Sequence, residues 1–120
     1  MPRGVDKRRH HRFLAALEVR VVSCRGRDPS DLEVTTIDLA VGGARCASNL
    51  ALDVGTRLGL AFRLVGGGLP RPVPIQADAV VLRCAERPDA PGTRRYEIAV
   101  KFERMDERER RTLQSYLNSL

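Results

Sequence analysis

The chain has 120 residues, of which 42% are hydrophobic and 30% charged, and its formal net charge is +6. This length allows one hydrophobic core but not two, and the balance of apolar and charged residues excludes an intrinsically disordered chain. No apolar run approaches the ~20 residues of a membrane-spanning helix, and no signal-peptide-like segment follows the basic start. We therefore expect a cytoplasmic, single-domain protein without a membrane span.

The first twelve residues carry much of the positive charge. Against one acidic residue, Asp6, they hold five cations, which gives this segment +4. The cations are Arg3, Lys7, Arg8, Arg9 and Arg12. Such a concentration predicts an anionic partner, whether a phosphate, a nucleic acid or a lipid headgroup. We interpret residues 1–12 as a flexible basic arm and residues 13–120 as the folded domain.

Short strands separated by Gly and Pro turns follow the arm. Alternating apolar residues predict a first strand in the pattern that begins at Phe13 and runs to about Cys24, and further strands at 32–39, 44–47, 57–65, 73–84 and 94–102. The Gly-rich connector between the fourth and fifth strands lacks the Gly-Lys-Ser/Thr ending of a phosphate-binding loop. Because no helical pattern separates the strands, the fold is expected to be mainly β, an antiparallel barrel or sandwich.

The end of the chain changes to a helical period. Asp106, with Glu109 three positions later, resembles a capping box at the start of a helix. Four apolar residues then recur at helical spacing: Leu113, Tyr116, Leu117 and Leu120. The pattern predicts one amphipathic helix that packs on the strands.

Cysteine spacing gives no sign of a disulfide or a zinc site. The chain has an odd number of cysteines, which lie far apart and form no C-x-x-C pair: Cys24, Cys46 and Cys84. We expect all three to be buried small hydrophobic residues.

The sequence offers little support for an enzyme. His10 and His11 are adjacent, so in an extended chain they point in opposite directions and do not share a metal ion. No G-x-S-x-G or H-E-x-x-H motif and no paired catalytic carboxylates stand out. We expect no catalytic activity, no metal site and no cofactor.

Specific nucleic-acid binding is not expected either. The basic segment has no interleaved aromatic residues for base stacking, and no helix-turn-helix, zinc-finger or RNP1 pattern is present. Non-specific attraction of the arm to phosphates stays open.

Two short motifs remain. Arg8-x-x-x-Arg12 precedes the first predicted strand, and Asp38, Ala40 and Gly43 lie where the second strand turns into the third. A purely structural interpretation of the second motif is an Asp that accepts turn amides and a Gly that supplies positive φ.

Together these motifs resemble the PilZ domain, a bacterial receptor module for cyclic di-GMP. Its pattern is R-x-x-x-R before the first strand, then [DN]-x-S-x-x-G; Ala40 stands where the family has Ser. The remainder of the chain is also similar, which implies a six-stranded antiparallel β-barrel with a C-terminal α-helix. The resemblance implies cyclic di-GMP as ligand, with no cofactor, and these ligand-binding residues: Arg8, Arg9, Arg12, Asp38, Ala40 and Gly43.

The chemistry of these residues suits such a ligand. Arginine contacts a phosphate, or the O6/N7 edge of guanine, in a bidentate manner. Asp38 offers a carboxylate to the guanine N1–H and N2–H groups, and Gly43 allows close backbone approach. Ligand binding is expected to change the conformation of the arm and its contacts with a partner. Arg83 is a weaker candidate, for which the role of an ordinary surface residue on a strand is the favoured interpretation.

Three hypotheses remain open. The first is a cyclic di-GMP receptor. In the family, the residue before R-x-x-x-R influences how many ligand molecules are bound, and the cation Lys7 at that position favours two molecules per domain. The second is a degenerate PilZ-like domain that binds an unidentified protein partner and no nucleotide. The third is a nucleic-acid-binding barrel.

Overall fold

The computed structural model describes residues 13–120, which form seven strands, a 3-10 turn and one α-helix. The strands are β1 Phe13–Leu14, β2 Glu18–Cys24, β3 Val34–Ala40, β4 Gly43–Ser48, β5 Arg57–Leu64, β6 Val73–Glu86 and β7 Tyr96–Met105. The 3-10 turn is Pro29–Asp31, and the helix α1 is Glu107–Asn118.

The sheet closes into a barrel. Its strand order is β3-β2-β5-β6-β7-β4, all neighbours are antiparallel, and β4 pairs with both β7 and β3. The short β1 is an additional strand, paired with the end of β3. The expected six-stranded antiparallel barrel with a C-terminal helix is confirmed.

Aliphatic side chains fill the barrel. Along β5, Leu58, Leu60, Phe62 and Leu64 turn their side chains to the core at a period of two, and Gly59 between the first two is also buried. The Phe62 and Phe102 rings stack with centroids 6.2 Å apart. The largest completely buried side chains are otherwise aliphatic, including Leu39, Leu64, Ile75, Ile98, Leu113 and Leu117.

Helix α1 is capped and anchored by different residues. Asp106 Oδ1 accepts a hydrogen bond from the Arg108 backbone N–H at 2.9 Å, so the predicted N-cap is confirmed. The capping-box role of Glu109 is wrong, because its carboxylate accepts the Gln76 backbone N–H at 2.5 Å and so joins the helix to β6. At the other end, the Tyr116 hydroxyl donates to the Val65 carbonyl at 2.9 Å.

The three cysteines are free thiols. Cys46 is buried as expected, but Cys24 and Cys84 are only half-buried, so the expectation of burial is wrong for these two. Both lie toward the ends of long strands, where the closed core no longer covers them.

A buried hydroxyl fixes the break between β1 and β2. The Thr36 hydroxyl donates to the Ala15 carbonyl and accepts the Leu17 N–H at 2.8 Å, and the Thr36 N–H donates to the Leu17 carbonyl at 2.9 Å. These bonds determine how the chain passes from β1, beside β3, into the barrel wall.

We expect Thr36→Val to lower the free energy of unfolding by about 2 kcal/mol, since it leaves two partly buried backbone groups without their partner. Thr35→Val is the matched control, because the Thr35 hydroxyl reaches only the exposed Glu18 carboxylate, at 3.0 Å. Urea unfolding of both variants checks this. Equal losses in the two would show that the linker does not depend on the Thr36 hydroxyl.

Candidate functional site

The second sequence motif lies on the β3–β4 hairpin, whereas Arg8, Arg9 and Arg12 lie outside the described residues. Asp38 is paired with Arg45 across the hairpin, and Ala40 with Gly43. A register irregularity between Thr36 and Asp38 sets this pairing.

Asp38 is buried and held by an arginine of the next strand. Its Oδ2 lies 2.6 Å from Arg45 Nε, and its Oδ1 accepts the Arg45 backbone N–H at 3.3 Å. Arg45 Nη1 also contacts Glu97 Oε2 on β7, at 3.2 Å. The hydrogen bond with Asp38 raises the pKa of Arg45. Asp38 therefore joins β3 to β4 through both the backbone amide and the guanidinium group of Arg45.

Gly43 is required by a close backbone approach within the barrel. A Cβ at this position would lie 2.3 Å from the Val100 carbonyl oxygen on β7. Its φ is not positive, so the structural interpretation of a glycine in a left-handed turn is wrong. The absence of a side chain brings β4 against β7 and leaves the outer surface flat.

Ala40 is 8% exposed. It is the last residue of β3 and directly faces Gly43. A hydroxyl introduced here would therefore be almost inaccessible to solvent, beside the hairpin turn.

The pairings place the motif in two rows on the outside of the barrel. Paired residues of neighbouring strands share a face, so Asp38, Arg45, Ala99 and Arg83 form one row across β3, β4, β7 and β6. In the next row Ala40 and Gly43 are followed by Lys101. We call these residues together the hairpin surface: Asp38, Ala40, Gly43, Arg45, Arg83, Ala99 and Lys101.

The hairpin surface combines a flat centre with a cationic rim. Ala40, Gly43 and Ala99 have small side chains or none, while Arg83 and Lys101 are exposed. At about 4.8 Å per strand, the first row spans roughly 14 Å. Such a surface can accept a flat, anionic ligand on its small residues with cations alongside.

Strand β1 brings the start of the described chain to this surface. Phe13 pairs with Leu39 and Leu14 with Asp38. The Ala15 N–H donates to the Ile37 carbonyl at 3.3 Å. The chain that directly follows the basic segment is therefore fixed beside the second motif.

Sequence reasoning missed Arg45 and Lys101. Arg45 occurs two positions after Gly43, so strand alternation from Gly43 was a signal for its outward side chain. No comparable signal existed for Lys101, because its place depends on how distant strands pair.

Cys46 lies beneath the hairpin surface and is expected to be unreactive. Burial, with a smaller contribution from the Asp38 charge, raises its pKa to about 12. At pH 8 we expect iodoacetamide to modify Cys46 more slowly than Cys24 or Cys84, and at a similar rate only after denaturation. Peptide mapping by mass spectrometry measures the three rates. Rapid modification of Cys46 in the folded chain would show that the hairpin opens.

The described part of the chain contains neither a cluster of candidate metal ligands nor a candidate membrane-spanning helix. Within residues 13–120, no group of three or more His, Cys, Asp or Glu side chains is placed to hold a metal ion. In the same range, no helix is both long and apolar enough to cross a membrane.

Comparisons with known proteins agree with this architecture. Residues 6–119 match the family model described as PilZ domain. The PilZ domain of YcgR from Escherichia coli, solved with c-di-GMP, has a TM-score of 0.64 and 20% identity, over 96% of this chain and 92% of that one. Bacillus subtilis inhibitor of motility (MotI/DgrA) has a TM-score of 0.70 and 19% identity, over 95% of this chain. The match spans 51% of the Bacillus chain, about half its length. No curated protein matches the sequence.

Because the two solved structures are only 19% and 20% identical to this chain, their similarity shows a shared fold alone.

Proposed function

Since the chain belongs to the PilZ domain family, we propose that it is a non-enzymatic receptor for cyclic di-GMP. The ligand is proposed to bind between the basic segment and the hairpin surface. The residues assigned to it are Arg8, Arg9, Arg12, Asp38, Ala40 and Gly43.

The observation that carries this proposal is the pairing of β1 with β3. Phe13 is aligned with Leu39, at the centre of the second motif. Phe13 directly follows Arg12 in the sequence, so we propose that Arg12 acts at the hairpin surface. Two motifs that are distant in sequence can therefore act on one ligand.

The charges of the two motifs suit the two halves of the ligand. The arginines of the basic segment provide bidentate donors for phosphate oxygens or for the guanine O6/N7 edge. Asp38 provides an acceptor for guanine N–H groups, held in place by Arg45. Arg83 and Lys101, on the same face, add cations at the far edge of the surface.

The linker at residues 15–17 is the proposed route from binding to response. It joins β1 to β2 and is held by the Thr36 hydroxyl. A ligand that orders the basic segment would pull on β1, and thereby shift the linker and the partner contacts near it. This part of the proposal concerns signalling only, and ligand binding does not depend on it.

We propose two ligand molecules per domain, on the basis of the extra cation at Lys7. A second nucleotide doubles the phosphate charge that must be neutralised. A titration that saturates at one molecule would overturn the stoichiometry while leaving the receptor function in place.

Calorimetric titration with cyclic di-GMP tests the function. Wild type should release or absorb heat with a saturable isotherm, and Asp38→Ala should bind at least about tenfold more weakly, because it loses a charged acceptor. The melting temperature of the variant must be compared with that of wild type, since Asp38 also holds Arg45.

No binding at high micromolar ligand would favour the degenerate, partner-binding alternative. Equal binding of unrelated RNA would favour the nucleic-acid alternative.

Ala40→Ser should strengthen nucleotide binding by up to about tenfold, because it restores one neutral hydrogen bond worth about 0.5–1.5 kcal/mol. The unliganded variant should lose about 1 kcal/mol of unfolding free energy, since the hydroxyl enters a position that is only 8% exposed. Calorimetry and urea unfolding measure the two effects.

Ala77→Ser is the control for the Ala40 variant. Ala77 is buried to a similar degree, 5% exposed, but it lies on β6 outside the hairpin surface. It should lose stability without any change in affinity. An Ala40→Ser protein that binds no better than wild type would remove the hydroxyl from ligand recognition in this chain.

A further inference from the structure

A concave feature of the described chain lies away from the β3–β4 hairpin. It is a groove of about 750 Å³ on the outer face of β2, β5 and β6. In the barrel order, β5 is three strands from β4 in either direction, so the centre of the groove lies across the barrel from the β3–β4 hairpin. We call it the β5 groove.

Small and apolar residues line the β5 groove. They include Ala16, Ala61, Val65, Pro72 and Pro74. Two of them, Ala61 and Pro74, lie on the outer face of β5 and β6, and the others lie in the segments that flank the strands. Alanine and proline side chains lose no rotamer entropy when a ligand covers them. Val65 is 57% exposed, which leaves apolar surface available for contact.

Two arginines line the β5 groove without an ion pair among the described residues. Arg20 lies on β2 opposite Ala61, and Arg63 lies two positions further along β5. Both are exposed. The one carboxylate of the lining, Glu18, is already bound by Arg94 at 3.2 Å and by the Thr35 hydroxyl at 3.0 Å. The groove is therefore cationic as well as apolar.

The distance between Arg20 and Arg63 suits a partner peptide in an extended conformation. One strand step across and two residues along separate their Cα atoms by on the order of 8 Å. Residues i and i+2 of an extended chain lie on one side, roughly 6.7 Å apart. Two acidic side chains at that spacing can each reach one arginine, while apolar neighbours contact the prolines and alanines. Gln76, at the edge of the groove, offers an amide to the partner's backbone.

We infer that the β5 groove is a docking site for an extended, acidic and apolar segment of a protein partner. A nucleic acid is less well matched, because the aromatic residue of the lining, Phe62, is 4% exposed and unavailable for stacking. This inference goes beyond nucleotide binding and does not depend on it.

Selection from a displayed library of random twelve-residue peptides, against the full chain without nucleotide, tests the inference. Enriched peptides should carry two acidic residues two positions apart with apolar neighbours. Synthesised with a fluorescent label, they should bind Arg20→Glu/Arg63→Glu at least about tenfold more weakly than wild type, through loss of two charge-assisted contacts.

Arg27→Glu/Arg95→Glu is the matched control, because it makes the same change of net charge at two exposed arginines outside the groove. This variant should keep most of the peptide affinity, and melting temperatures establish that both variants fold. Enriched peptides without the acidic pair, or an equal loss in both variants, would overturn the inference. The inference would also be overturned if no peptide were enriched and if RNA or phosphatidylglycerol vesicles bound through Arg20 and Arg63 instead. Because no nucleotide is used, a failure of cyclic di-GMP binding leaves this result unaffected.

Discussion

Arg12→Ala should weaken cyclic di-GMP binding by at least about tenfold while the fold remains intact. A charge-assisted hydrogen bond contributes about 1.5–3 kcal/mol, and a bidentate arginine contact contributes more. Arg12 immediately precedes Phe13, whose pairing with Leu39 fixes the chain beside the second motif. Of the two arginines in R-x-x-x-R, Arg12 is therefore the one nearer in sequence to the described strand β1. Calorimetric titration of wild type and variant measures the ratio of dissociation constants.

Arg27→Ala provides the control for the loss of one cation. Arg27 is exposed in the turn after β2, outside the hairpin surface, so its replacement should change the affinity less than about twofold. A folded Arg12→Ala protein that binds as tightly as Arg27→Ala would exclude the basic segment from ligand recognition.

Gly43→Ala should lower the free energy of unfolding by about 3 kcal/mol, a fall in melting temperature of roughly 10–15 °C. The new Cβ would lie 2.3 Å from the Val100 carbonyl oxygen, so strands β4 and β7 must separate to accommodate it. Because this pairing also aligns Arg45 with Ala99, nucleotide binding should weaken as well. Thermal unfolding and urea titration measure the change.

Gly59→Ala is the control for Gly43→Ala, because its new Cβ would clash with side chains and not with the backbone. A Cβ at Gly59 would also be close to its neighbours, 2.5 Å from Ser23 Oγ and 2.9 Å from Val22 Cγ2. Ser23 and Val22 are exposed and can move, so this variant should lose less than about 1 kcal/mol. Similar losses in the two variants would show that contact with the Val100 carbonyl is not what requires glycine at position 43.

Most of the fold could be predicted from the sequence because the strands alternate clearly. The period-two pattern of residues 57–65 corresponds to β5, and the change to helical spacing at Leu113 corresponds to α1. The two-residue β1 was not foreseen, since so short a strand has no period of its own and exists only through pairing with Leu39 and Asp38.

The candidate site could be predicted only in part. Asp38 and Gly43 are recognisable from local spacing, but their partners are set by strand pairing. Arg45 meets Asp38 because of a register irregularity in β3, and a second irregularity, between Val81 and Arg83, places Arg83 opposite Ala99. Such irregularities leave little trace in an alternating pattern, because one extra residue exchanges the two faces of a strand. The reason for glycine at position 43 was equally hidden, since it depends on Val100 of a distant strand.

An NMR titration of the ¹⁵N-labelled full chain with cyclic di-GMP reports nucleotide binding and its location together. We expect saturable shifts of the backbone amides of Leu39, Gly43, Arg45, Ala99 and Lys101, with Arg20 and Arg63 in the β5 groove changing much less. An unchanged spectrum at high micromolar nucleotide would contradict the receptor function. Shifts concentrated at Arg20 and Arg63, with the hairpin surface unaffected, would contradict the assigned site.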